Sequence, residues 1–145
     1  MSRLLIALVL VSTVLLTTAE RKLIDRGRLE GVQSIKTGKL DDEVQRAARR
    51  HATYQATVQH QGHQNWDRRV QELQRLHPEI REWKEVANES WPGQNVDDAA
   101  REMYHSWRQS DGHWGAVNGR CIYYGYSMVR GANGVWYACG IFGVR

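Results

Sequence analysis

The chain has 145 residues and a mild basic excess, with 20 lysines and arginines against 16 aspartates and glutamates and a formal net charge of +4. The basic residues are spread along the chain, and they form no basic stripe with interleaved aromatics. This pattern argues against a nucleic-acid partner. It favours solvated helix faces for the doublets Arg49-Arg50 and Arg68-Arg69, both of which lie near acids.

Residues 1–19 have the pattern of a cleaved signal peptide. Arg3 gives a short positive region, Leu4 to Leu16 is an apolar run, and Thr17-Thr18-Ala19 supplies the small residues that signal peptidase reads. The run is too short to cross a bilayer comfortably, so we expect cleavage after Ala19 and no membrane span afterwards. An uncleaved membrane anchor is the alternative. The pattern predicts a secreted or extracytoplasmic protein.

The next part of the chain is predicted to be an arm followed by helices. Residues 20–40 are polar with weak periodicity, which predicts an extended N-terminal arm, with partial order against the domain as an alternative. Apolar residues at three- and four-residue steps predict a helix over 41–58 and a second from about Asn65 to Pro78. The same helical spacing continues through Ile80, Trp83 and Val86.

The last part of the chain changes from helix to strand. Asn95 can cap a further helix, which ends before the turn tripeptide Ser110-Asp111-Gly112. Aromatic and β-branched residues over 121–129 and 135–142 then predict two strands joined by the turn at 131–134. Helices first and an antiparallel hairpin last predict an α+β fold with helices covering a sheet.

Cys121 and Cys139 are the two cysteines of the chain. Both lie in the predicted strands, which could pair as neighbours. An even count in an exported protein favours a Cys121–Cys139 disulfide. A metal site using both thiolates is less favoured, because the chain has no CxxC half-site.

Four local signatures follow one another in a fixed order. They are His60-Gln-Gly-His63, Glu85-Val-Ala-Asn-Glu89-Ser90, Trp107-Arg-Gln-Ser110-Asp-Gly112-His113-Trp114 and Gly134-Val-Trp136-Tyr137-Ala-Cys139-Gly140-Ile-Phe142-Gly143. In order and spacing they resemble the CAP superfamily, which includes cysteine-rich secretory proteins, antigen 5 venom proteins and plant pathogenesis-related class 1 proteins. The chain looks most like the abbreviated bacterial form. This resemblance implies a CAP-like domain over 41–145 with a three-layer α-β-α sandwich.

The resemblance also implies a cleft lined by two histidines and a glutamate, which map onto His63, Glu85 and His113. His60 is an alternative to His63, and Glu89 is an alternative to Glu85. These residue types suit a divalent ion such as zinc, and three protein ligands leave a position open for water or substrate.

For function, the resemblance implies a secreted binding domain whose partner is a lipid or sterol or an extracellular protein. The alternative is a metal-assisted hydrolase of the peptidase type, with Glu85 as base or ligand. A third hypothesis is a purely structural envelope protein. Serine catalysis at Ser110 has little support, because no Gly-x-Ser-x-Gly elbow surrounds it. Whether the protein is an enzyme stays open from sequence.

Overall fold

The computed structural model describes residues 13–145; residues 1–12, which carry most of the predicted signal peptide, lie outside the described part. In chain order the elements are α1 (Thr18–Glu30), α2 (Gln33–Thr37), β1 (Lys39–Leu40), α3 (Asp42–Val58), α4 (Trp66–Leu76), β2 (Glu82–Glu89), α5 (Val96–Arg108), α6 (Asp111–Val117), β3 (Tyr123–Arg130) and β4 (Trp136–Val144). No helix within 13–145 is both long and apolar enough to cross a membrane.

The four strands form one mixed sheet in the order β1-β3-β4-β2. β3 and β4 are an antiparallel hairpin, β2 pairs antiparallel with β4, and the short β1 runs parallel to β3. The predicted α+β class is confirmed. The finer prediction, a three-layer sandwich of the CAP type, stays a prediction. The order leaves β2 as one edge of the sheet, which matters for the site below.

Buried side chains pack in two main clusters, because alternate residues of each strand point to opposite faces. In β4, Cys139 and Ile141 join the cluster that contains α3 and α4, whereas Ala138 and Phe142 join the cluster that contains α1, α2, α5 and α6. Residue 125 is glycine because α3 passes directly over it. A Cβ there would lie 2.7 Å from the backbone of Val44 and Gln45.

The predicted extended arm over 20–40 is wrong. These residues form α1, α2 and β1, and Leu23, Ile24 and Val32 are almost completely buried. The apolar positions are few, so their helical spacing is weak in the sequence. The first turn of α1 also includes the predicted cleavage point, since Thr17 caps the helix and Ala19 packs against the core.

The helical spacing through Ile80, Trp83 and Val86 is also misleading, because residues 82–89 form the strand β2. Residues three positions apart lie on one side of a helix, but in a strand they point to opposite faces. Because both faces of β2 are covered, apolar residues at this spacing are buried in either conformation. Trp83 belongs to one buried cluster and Val86 to the other.

The helix predicted at Asn95 is confirmed as α5, with the Asn95 side chain accepting from the Asp98 N–H at 2.8 Å. The turn predicted at Ser110-Asp111-Gly112 is instead the start of a helix. Ser110 caps α6, so that His113 lies in the first turn of a helix rather than after a loop.

The predicted Cys121–Cys139 disulfide is wrong, because the two thiols are free and far apart. Cys139 pairs across the hairpin with Ser127, which is six residues, or roughly 20 Å at about 3.3 Å per residue, from Cys121. The two cysteines also belong to clusters on opposite faces of the sheet. A disulfide needs Cα atoms within about 7 Å.

Thiol titration checks this correction. Burial raises the pKa of Cys121 to about 11 and that of Cys139 well above its usual value. We therefore expect almost no reaction with a thiol reagent in the native protein and two reactive thiols after denaturation without reductant. A denatured chain with no reactive thiol and a mass lower by two hydrogens would contradict the structure.

Candidate functional site at the edge of strand β2

The site is built around the carboxylate of Glu85, which lies in the middle of the edge strand β2. Its side chain is only 1% exposed. Arg69 holds it with two hydrogen bonds, from Nε to Oε2 at 2.9 Å and from a terminal nitrogen to Oε1 at 2.7 Å. The Nδ1 atom of His63 lies 2.9 Å from the same Oε1. Both oxygens of Glu85 are thus engaged by side chains of the protein.

The loop between α3 and α4 positions His63. The buried side chain of Gln55 accepts from the Gly62 N–H at 3.0 Å, and it donates to the backbone oxygen of Ala138 at 3.1 Å. His51 contacts the Gly62 oxygen through Nε2 at 2.7 Å. Two buried residues of α3 therefore fix the loop one residue before His63.

Arg69 reaches Glu85 from the first turns of α4. It also donates to the backbone oxygen of Gln64 at 2.6 Å, and its guanidinium lies 5.5 Å from the ring centre of Trp66. These contacts restrain the arginine, whose side chain is 13% exposed. The ion pair therefore joins α4, the preceding loop and β2.

Two further side chains lie near the Glu85 carboxylate at distances longer than those of the three hydrogen bonds above. His51 Nε2 lies 3.8 Å from Oε1, and Cys139 Sγ lies 3.8 Å from Oε2. Burial lowers the pKa of His51 in spite of the nearby carboxylate. His51 is therefore a neutral structural residue at physiological pH, and Arg69 supplies the permanent positive charge.

His113 lies in α6, on the other face of the sheet from Arg69 and α4. Among residues 13–145 its imidazole has no hydrogen bond or ion pair. Partial burial lowers the pKa of His113, and the neighbouring His63 lowers it further. A positive charge on His63 therefore opposes protonation of His113.

The structure thus brings together two of the three predicted ligands directly. His63 contacts Glu85, and His113 lies within electrostatic reach of His63. Of the alternatives, His60 is exposed and has no side-chain partner in the described part of the chain, and Glu89 lies four residues further along β2. Within 13–145, no group of three or more His, Cys, Asp and Glu side chains has an arrangement that could hold a metal ion.

Arg69, Gln55 and His51 belong to this site, although no sequence motif predicts them there. Arg69 has the same residue type and surroundings as Arg68, which predicts a solvated helix face for both. The one available signal was helical phase, since His51 and Gln55 are four residues apart on the apolar face of α3.

Comparison with known proteins supports the fold and assigns no function. No protein-family model matches the chain, and no curated protein matches its sequence. Among solved structures it is similar to an outer surface protein of Borrelia burgdorferi, with a TM-score of 0.60 and 13% identity. That match covers 87% of this chain and 89% of the other. At this identity the likeness shows a shared fold alone.

Proposed function

We propose that the chain is an exported, CAP-like binding domain in which His63 and His113 take a divalent cation such as zinc at the edge of β2. The observation that carries the proposal is the contact between His63 Nδ1 and Glu85, because it leaves Nε2 of a half-exposed imidazole open. Histidine ligands of metals usually donate their other ring N–H to a carboxylate. Glu85 is therefore assigned the role of orienting His63 rather than binding the ion.

The unpartnered imidazole of His113 supplies the second ligand in this proposal. Zinc in proteins usually has three or four protein ligands, so two imidazoles leave positions for water or for a bound molecule. Export is proposed from the signal-type pattern of residues 1–19, and a surface location is consistent with the similar outer surface protein. A lipid, sterol or extracellular protein as partner follows from the CAP resemblance alone.

The hydrolase alternative has less support. A general base needs an oxygen that can reach a water molecule. Both oxygens of Glu85 hold Arg69 or His63, and the side chain is almost completely buried. We expect no turnover of a peptide library by the zinc-loaded protein; turnover that disappears in His113→Ala would favour the hydrolase.

Zinc titration by calorimetry tests the proposed site. We expect about one equivalent to bind, with affinity falling by about tenfold or more in His63→Ala and in His113→Ala, because each removes one ligand. His60→Ala is the matched control, since this exposed histidine lies three residues from His63 without a side-chain partner among the described residues. No uptake by the wild type, or equal uptake by the double variant, would overturn the proposal.

A further inference from the structure

A cleft of about 390 Å³ lies where β2 passes into α5, beyond Glu85 along the strand. Its lining includes Asn88, Glu89 and Trp91 from the end of β2 and the following turn. Glu102 and Ser106 face them from α5, where their four-residue spacing places them on one side of the helix. The volume is within the range of small-molecule sites, about 300–1,000 Å³.

The polar groups around this cleft have unused hydrogen-bonding capacity. The Nδ2 atom of Asn88 is buried and donates to nothing in the described structure. Within residues 13–145 the hydroxyl of Ser106 has no hydrogen bond, and the carboxylates of Glu89 and Glu102 have no ion pair. A buried donor without an acceptor costs about 1–3 kcal/mol. A ligand that brings an acceptor to Asn88 recovers that cost.

Trp91 provides an apolar surface at the same place. Its side chain is 67% exposed, although the other tryptophans that pack in the two main clusters are buried or partly buried. Pro92 and Gly93 follow Trp91 and form the turn that places its ring at the surface. The Gly93 N–H donates to the Gly134 oxygen at 3.1 Å. An indole ring held at the rim of a polar cleft can stack on a flat apolar face of a ligand.

We propose that this cleft binds a neutral saccharide ring. Sugar hydroxyls both donate and accept, so one ring can donate to Glu102 while accepting from Asn88, and its C–H face can stack on Trp91. An ammonium group would suit the carboxylates and the indole, but it carries only N–H donors and offers no acceptor to the buried Asn88 amide. The orphan donor therefore favours a polyhydroxylated ring over an amine.

Calorimetric titration with two neutral oligosaccharides, maltotetraose and tetra-N-acetylchitotetraose, tests the proposal on the full folded domain. We expect at least one to bind, and Trp91→Ala to weaken binding by about tenfold or more, whereas Trp91→Phe keeps a stacking ring and most of the affinity. Asn88→Leu removes the unpaired donor together with an amide oxygen that has no hydrogen bond among residues 13–145, so we expect weaker binding at unchanged or higher stability. Tyr54→Ala is the control for an exposed aromatic elsewhere.

Three outcomes would overturn the inference: no binding of either sugar, binding that Trp91→Ala leaves unchanged, or binding of choline and a cationic glucosamine oligomer without the neutral sugars. The last outcome would mark the cleft as a cation site. Because the variants keep His63 and His113, zinc uptake measured on the same samples is expected to be unchanged.

Discussion

Replacing Arg69 by alanine should lower the free energy of unfolding by about 3–5 kcal/mol, because it leaves the buried Glu85 carboxylate without its main partner. Arg69 provides two of the three close hydrogen bonds to Glu85, and the remaining donor, His63, is about half exposed. The substitution also frees the loop that carries His63. Urea denaturation at neutral pH, followed by circular dichroism, measures the change.

The neighbouring Arg68 is the matched control for this experiment. It lies on the same helix, is exposed, and has no ion pair among residues 13–145, so Arg68→Ala should change the stability by no more than about 0.5 kcal/mol. The double replacement Arg69→Met with Glu85→Leu removes both charges together and should recover most of the loss. Equal effects of Arg68→Ala and Arg69→Ala would refute the assigned role of the pair.

Arg49→Ala should be comparably destabilising, by about 3–5 kcal/mol, because the carboxylate that it leaves unpaired is fully buried. Glu20 is 0% exposed and is bonded by Arg49 Nε at 2.9 Å, by the Thr17 N–H at 2.9 Å and by the Ser127 hydroxyl at 2.7 Å. This cluster joins α1, α3 and β3. The control is Arg50→Ala, since Arg50 pairs with Glu72 at the exposed surface at 3.5 Å, where such pairs contribute about 0–1 kcal/mol.

The Arg49 effect should depend on pH in a defined direction. Burial alone would raise the pKa of Glu20, but the hydrogen bonds from Arg49, Thr17 and Ser127 outweigh it and hold the pKa below its usual value. The stability that this depressed pKa contributes is present above the unfolded pKa of glutamate and is lost as the pH falls through the folded pKa. The difference between wild type and Arg49→Ala should therefore be larger at pH 7 than at pH 4. A difference that grows toward acid would contradict the assignment.

Elements whose signals are local were predictable from sequence. Helices α3, α4 and α5 have clear apolar spacing and caps or breakers at their ends, and the β3–β4 hairpin is marked by its glycine turn. Strand β2 was not predictable, because its conformation depends on pairing with β4 about fifty residues away and both its faces are covered. Helix α6 has seven residues, too few for periodicity to show.

The two arginine doublets show why the site was only partly predictable. In each doublet one arginine is exposed, and the other holds a buried glutamate. The residue type and local charge are the same for both members, so sequence alone assigned all four to solvated faces. Their difference depends on helix phase and on partners 16 and 29 residues away. The contact between His63 and Glu85 was expected only through the CAP resemblance.

The cluster at Glu20 also has a consequence for the conditions under which this domain folds. Through Ser127 it connects positions 107 residues apart, a span that small exported domains often close with sulfur. Here the connection is a hydrogen bond to a buried carboxylate that also forms an ion pair with Arg49, and both thiols are free. Reducing agents should therefore leave the fold intact, whereas acid should weaken it. The polypeptide can reach its native state without any oxidant or disulfide isomerase.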